Sequence, residues 1–424
     1  MKIPRMLWVV TALLFLATAL NYADRMVLSI VSLDIRKEFS FSPQDYSQVV
    51  AWFFVAYSIM YAGSGWIIDR LGTKRGFGLF ILCWSIAQML HAATVGKWSL
   101  AGYRFLLGLS EPGNWPAAAK AVGEWFPPAQ RALGVGLFNA GSSVGSVIAP
   151  PMVAWITVQY GWRSAFVVTG LMGFAWLAAW MIFYDPPHRN RWMRREEYEA
   201  LAPQLPPPGE AAPTKEKIDV VRVFLTRGCW VLLVARFFSD PVIYFMTFWL
   251  PEYLRVERHF DLAQVGKYAW VPFVFGGIGY VVGGWLSAAL IRRGWPLARA
   301  RKFVMALGAA CLPVAILAPF VPEAWMAIGA TCFVTWGHAF WVSNLQALPT
   351  DLFRGREVAT ASGFTGMGGA IGGALAQLGT GYLVANFSYA PVFIIAGLMH
   401  PLSAILIYSW LPDREFDKAA AQMG

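Results

Sequence analysis

The chain has 424 residues, 57% of them hydrophobic and 14% charged, with 21 Trp and 30 Phe. Soluble domains are nearer half apolar and a quarter charged, so this composition excludes an ordinary soluble protein and points to a chain dissolved in a bilayer. The net charge of +10 would suit nucleic acid as a partner, but the placement of the basic residues accounts for it without one.

A membrane helix needs about 20 apolar residues. Such runs lie near 6–33, 44–68, 76–95, 98–123, 132–158, 162–184, 223–250, 266–290, 301–320, 323–348, 357–385 and 389–411. They predict an all-α membrane protein of about twelve transmembrane helices. The first run contains Asn21-Tyr22-Ala23-Asp24-Arg25 and no small-residue cleavage pattern, which predicts a retained span rather than a signal peptide. Asp24 is a protonatable carboxylate within the membrane, the simplest form of proton carrier. Arg25 either holds an anionic ligand or neutralises Asp24 or a carboxylate of another span.

The loop after the second run reads Gly65-x-x-x-Asp69-Arg70-x-Gly72-x-Lys74-Arg75. Its glycines permit a tight turn. Its charges either pair with neighbouring helix ends and latch one conformation, or form a solvated basic loop.

The fourth run reads Arg104-x-x-x-Gly108-x-x-Glu111-Pro112-Gly113-Asn114. An ionisable residue in mid-membrane costs about 2.5–3.5 kcal/mol on insertion scales, so it needs a reason. Arg104 and Glu111 share a helix face but stand roughly 10 Å apart along the axis, too far for a direct bridge. Pro112 lacks the N–H that would bond the Gly108 carbonyl. A free carbonyl, a carboxyl and a guanidinium facing one cavity suit a polyhydroxylated anion. The alternative is that each charge satisfies a neighbouring helix. Lys120 and Glu124 read as interfacial.

Residues 186–222 carry Pro186, Pro187, Pro203, Pro206, Pro207, Pro208 and Pro213 among charges. They predict a polar linker between a six-helix bundle at 1–185 and a second at 223–424. Arg236 and Asp240 in the seventh run form an i,i+4 pair that can neutralise itself. The tenth run contains His338 and Trp341. The second half repeats the first at an offset of 227 residues: Phe126 matches Phe353, Gly136 Gly363, Gly141 Gly368, Gly145 Gly372, Phe166 Phe393, and Gly170-Leu171-Met172 matches Gly397-Leu398-Met399. The same offset sets His338 opposite Glu111, so the two are expected to face one cavity from opposing halves. A packing histidine is the alternative. Parallel six-helix repeats are a transporter architecture, with the solute site between the halves.

The glycine stripes at 134–145 and 363–373 lie inside apolar helices and predict close helix packing rather than phosphate loops. Cys83, Cys229, Cys311 and Cys332 have no metal or redox spacing. Neither an enzyme nor a metal or cofactor site is expected. With both termini cytoplasmic, about 23 of the 34 Lys and Arg lie inside and about 7 outside, as the positive-inside rule requires.

The Asn-Tyr-x-Asp-Arg of the first span, the 65–75 loop, the Arg104 to Glu111 pattern and the Asn114-Trp115-Pro116-Ala117 that follows resemble the anion–cation symporter branch of the major facilitator superfamily. Glu124-Trp125-Phe126-Pro127, Phe138-Asn139-x-Gly141, Asp240-Pro241-Val242 and Phe248-Trp249-Leu250-Pro251 resemble bacterial hexuronate transporters within it. The resemblance implies a monomeric, multi-pass carrier in a bacterial inner membrane. Its partners are a small organic anion, protons and the lipid bilayer. It implies proton-coupled import of a hexuronate such as glucuronate or galacturonate by alternating access. Asp24 and Glu111 are then the proton-coupling pair. Tyr22, Arg25, Tyr57, Arg104, Ser142, His338 and Trp341 line the substrate site, and Gly65, Asp69, Arg70, Gly72 and Lys74 form the latch loop. An aldonate or aromatic-acid symporter and an organophosphate antiporter are the rival carriers. A ligand sensor that does not transport is the rival of another class. Ser142, His338 and Gly366 differ from the aldonate carriers, and Pro112 stands where a small residue is usual.

Overall fold

The computed structural model describes residues 5–127, 131–205, 220–353 and 357–416. Twelve long helical segments follow the twelve apolar runs. They are α1 (Arg5–Ile30), α2 (Pro43–Leu71), α3 (Thr73–Leu90), a broken α4 (Lys97–Ser110 and Asn114–Trp125), α5 (Arg131–Tyr160) and α6 (Trp162–Phe183). Then come α7 (Arg227–Val256), α8 (Val271–Arg292), α9 (Leu297–Cys311), α10 (Ala324–Leu345), α11 (Glu357–Asn386) and α12 (Ala390–Trp410). Eight are long and apolar enough to cross a membrane, or nine when the two parts of the bent α2 count as one. The segments below that mark are α4, α10 and α11. They are the ones that carry Arg104 and Glu111, His338, and the second glycine stripe.

The 227-residue repeat is a repeat of packing. A Cβ at Gly141 or Gly145 of α5 would collide with the carbonyls of Phe15 or Ala19 on α1. A Cβ at Gly368 or Gly372 of α11 would collide with the carbonyls of Leu233 or Phe237 on α7. Backbone therefore meets backbone at equivalent places in both halves, which only glycine allows. Gly170 lies against the Ser85 carbonyl, and its counterpart Gly397 lies against the Leu312 carbonyl, again 227 residues on. Phe166 and Phe393 are both fully buried.

The predicted latch loop pairs with helix ends as one of its two readings expected. Gly72, at φ 77°, makes the turn between α2 and α3. Asp69 meets Lys120 at 2.7 Å and Lys74 meets Asp185 at 2.8 Å. Arg70 lies over the Trp66 ring, and Gly65 lies near Pro116. Glu124, half-buried, accepts hydrogen bonds from Thr73 and Tyr184, both at 2.5 Å, and so ties α3, α4 and the end of α6 together. The second half lacks the acid in its loop but builds a related tie: Arg301 meets Asp351 at 3.0 Å. These residues stand 227 positions after Lys74 and Glu124. Of the linker predicted at 186–222, residues 206–219 lie outside the described residues. Its start is held to α6 by Asn190, which donates to the Phe183 carbonyl at 2.9 Å.

The two ends of the bundle differ. At the end that carries the 69–75 loop, the ion pairs named above each stay within one half. At the opposite end, charged and polar side chains cross between halves. Arg255 of α7 grips Asp34 with two bonds of 2.5 and 3.2 Å, and Arg36 pairs with Glu252. Tyr46 of α2 donates to the Phe248 carbonyl of α7 at 2.8 Å. That end is sealed. Glu252 is 1% exposed, so these contacts exclude water as well as join charges.

Candidate functional site

A cavity opens between the halves at mid-membrane. Tyr22, Arg25, Ser142, Ser143 and Ser146 line it from one side, and Tyr244, Thr247, Phe273, Tyr280, Thr335 and His338 from the other. Its small hydroxyls are turned to backbone carbonyls. Ser142 donates to the Asn139 carbonyl at 2.7 Å, Ser146 to Ser142 at 3.0 Å, Thr247 to Ile243 at 2.8 Å and Thr335 to Pro272 at 2.5 Å. Their oxygens remain free to accept from a ligand hydroxyl. Donors to a ligand come from larger side chains, above all Arg25.

Arg25 is positioned from three directions. Its Nε donates to Glu111 at 2.5 Å. Its guanidinium carbon lies 4.9 Å from the Tyr57 ring centre, 5.1 Å from Tyr22 and 5.5 Å from Phe53. Rings at this range attract a cation through their negative faces. Trp115 donates to the Tyr57 hydroxyl at 3.0 Å and so fixes that ring. One guanidinium nitrogen, Nη2, has no hydrogen-bond partner among the described residues. This is a planar cation held in place with a donor in reserve, the arrangement that recognises a carboxylate.

Glu111 sits where the sequence predicted a break. The α-helix stops at Ser110, Glu111–Gly113 forms a 3-10 turn around Pro112, and the helix resumes at Asn114. The break lets Glu111 reach across to Arg25 on α1. Glu111 is fully buried, and its second oxygen has no hydrogen-bond partner among the described residues. Asp24 is also buried, and neither of its carboxylate oxygens has a hydrogen-bond partner among the described residues.

Four of the seven expected wall residues therefore meet at the cavity: Tyr22, Arg25, Ser142 and His338. The other three stand behind it. Tyr57 braces Arg25. Arg104 is fully buried, its three guanidinium nitrogens unpartnered among the described residues and its guanidinium carbon 6.0 Å from the Phe53 ring centre. The helix runs unbroken from Arg104 to Ser110, and the 3-10 turn starts only at Glu111. Trp341 is fully buried in an apolar cluster with Val231 and Ala235 of α7 and Met305 of α9, and is not among the residues that line the cavity. Arg236 and Asp240 pair with each other at 2.8 Å, set against glycines 366 and 369. The sequence reading missed His400, whose Nε2 lies 3.1 Å from Nδ1 of His338. An imidazole within an apolar helix was signal enough to single it out.

Comparison with known proteins shows the family of the chain. The model of the Major Facilitator Superfamily matches residues 14–377 and 294–422. A hexuronate transporter of Escherichia coli (strain K12) is 31% identical over 415 residues, 97% of this chain and 96% of that protein. A galacturonate transporter of Dickeya chrysanthemi is 30% identical over 311 residues, 73% of this chain and 89% of that protein. A D-galactonate transporter of Escherichia coli O6:H1 is 27% identical, covering 96% of each. The structure of a bacterial homologue of the human lysosomal transporter Spinster, inward-facing and unoccupied, superposes with a TM-score of 0.73 at 19% identity, covering 98% of both chains.

Proposed function

The chain belongs to the major facilitator superfamily, and from that premise we propose that it imports a monoanionic sugar acid of hexuronate size together with protons. The observation that carries the reading is the Arg25–Glu111 pair at the cavity wall. With Glu111 ionised, the guanidinium is engaged. Protonation of Glu111 breaks the ion pair and hands the fork to a substrate carboxylate. Substrate and proton thus enter as one event, and loss of the proton restores the pair and expels the anion. Asp24, on the same helix as Arg25, is the second proton site.

The rest of the wall suits a sugar acid. Serine and threonine oxygens, the phenols of Tyr22, Tyr244 and Tyr280, and His338 supply partners for hydroxyls. An unpaired polar group in a dry cavity costs roughly 1–3 kcal/mol, so a ligand without hydroxyls binds poorly here. The named relatives that carry hexuronate and galacturonate support the size chosen. With the 69–75 loop cytoplasmic, the sealed end faces outward and this conformation releases its load inward.

Competition against labelled glucuronate uptake into cells tests the substrate class. Galacturonate should compete within a few-fold of glucuronate, open-chain aldonates more weakly, and glucose not at all, because a neutral hexose offers nothing to Arg25. Glucose competing as well as glucuronate sinks the carboxylate role. An aromatic acid competing best moves the chain to another substrate group. The orientation is tested separately. Single cysteines introduced at 188–195 should resist impermeant thiol reagents in intact cells and react after permeabilisation. Ready labelling from outside inverts the topology.

A further inference from the structure

Behind His338 stands a second imidazole that the proposed mechanism does not use. His338 of α10 lines the cavity. Its Nδ1 is 3.1 Å from Nε2 of His400 on α12, with the rings at 72°. His400 is 0% exposed and His338 2%. The Trp341 ring lies 5.6 Å from His400, at 70°. His400 thus packs against two rings of α10, His338 and Trp341.

A neutral imidazole carries one N–H, and the nitrogen that bears it is set by the partner of the other. The contact between the two histidines contains one hydrogen, which belongs either to His338 Nδ1 or to His400 Nε2. The far side of His400 decides between them. Its Nδ1 has no hydrogen-bond partner among the described residues. If His338 donated, His400 would need its hydrogen on Nδ1, leaving a buried N–H with no acceptor. Orphaned N–H groups are rarer in folded proteins than orphaned acceptors. The hydrogen therefore sits on His400 Nε2 and points at His338 Nδ1.

We propose that His400 is a positioning residue that fixes His338 as its Nε2–H form, so that the cavity presents one fixed hydrogen-bond donor to a substrate oxygen. The wall hydroxyls of Ser142, Ser146, Thr247 and Thr335 already donate to backbone carbonyls. His338 lines the cavity from one half and Arg25 lines it from the other. Arg25 takes the carboxylate and His338 takes a hydroxyl or ring oxygen at the other end of the ligand. A substrate lacking that oxygen leaves the N–H unpaired, so His400 acts on specificity through His338 without touching substrate.

The inference about specificity rests on the sugar-acid reading, but the proton position does not. Nitrogen NMR of the full-length protein with labelled histidine, neutral at its ring nitrogens, reads the tautomer directly. The chain has five histidines, and the His338 signals are those lost in His338→Gln. His338 should show a protonated Nε2 and a bare Nδ1. A proton on Nδ1 overturns the proposal whatever the carrier transports. In transport, His400→Leu should raise the KM for glucuronate about tenfold with kcat little changed. His400→Gln, whose amide places an N–H near the lost Nε2, should recover most of that loss. A parent KM in His400→Leu overturns the role, as does an equal loss in both variants. If the parent protein moves no sugar acid at all, the substrate reading fails while the NMR result still decides the tautomer.

Discussion

Glu111→Gln should leave a carrier that binds and exchanges hexuronate yet cannot accumulate it. Glutamine keeps the volume of glutamate and mimics its neutral form, but it takes up no proton. Arg25 loses its internal counter-charge permanently and stays available to a substrate carboxylate. The empty carrier then holds an unpaired guanidinium in the cavity, and an uncompensated charge in a dry site costs several kcal/mol. That cost falls on the step in which the empty carrier reorients, and the loaded carrier is spared it. Exchange of labelled for unlabelled glucuronate in proteoliposomes should therefore stay within a few-fold of the parent, while accumulation driven by a proton gradient falls to the equilibrium level. Unchanged uphill transport by the mutant would remove Glu111 from coupling.

Arg25→Lys should be nearly as damaging as Arg25→Ala. The Arg25 guanidinium is held by Glu111 and by the rings of Tyr22, Phe53 and Tyr57. These contacts select a flat cation with several donors, and an ammonium is a compact point charge on a flexible stem. Truncating one partner of a desolvated charge pair costs about 2–5 kcal/mol. Glucuronate uptake at low concentration should thus fall roughly 100-fold or more in either variant. Rescue by lysine to within a few-fold of the parent would mean that charge alone matters and that the fork geometry is irrelevant. Arg104 provides the contrast. It stands behind the wall, so its substitution should lower the amount of folded protein more than it raises KM.

The fold was legible because a bilayer imposes simple rules on sequence. Twelve apolar runs became twelve helical segments, and two glycine pairs matched at the 227-residue offset, Gly141 with Gly368 and Gly145 with Gly372, proved to be points where α5 meets α1 and α11 meets α7. The break at Glu111 was legible from Pro112. What helical periodicity cannot give is the direction in which a face points. Trp341 follows His338 by three residues, and the sequence put both in the cavity. The helix turns the indole toward α7 and α9 instead. Arg104 and Glu111 lie on one regular stretch of helix, yet Glu111 pairs with Arg25 while the Arg104 guanidinium has no hydrogen-bond partner among the described residues. The choice between Asp24 and Glu111 as the partner of Arg25 depended on a contact between helices that no spacing along the chain encodes. His400 was invisible to the repeat, because the position 227 residues before it is Gly173.

The central claim is that a proton and a sugar acid cross together. Purified protein in proteoliposomes, given labelled glucuronate at equal concentration inside and out, tests it with a pH step alone. An acidic exterior should drive glucuronate inward above its equilibrium level, and a protonophore should collapse the accumulation. Uptake that only equilibrates, at the same rate with and without the pH step, would contradict the account and leave a carrier with no proton coupling.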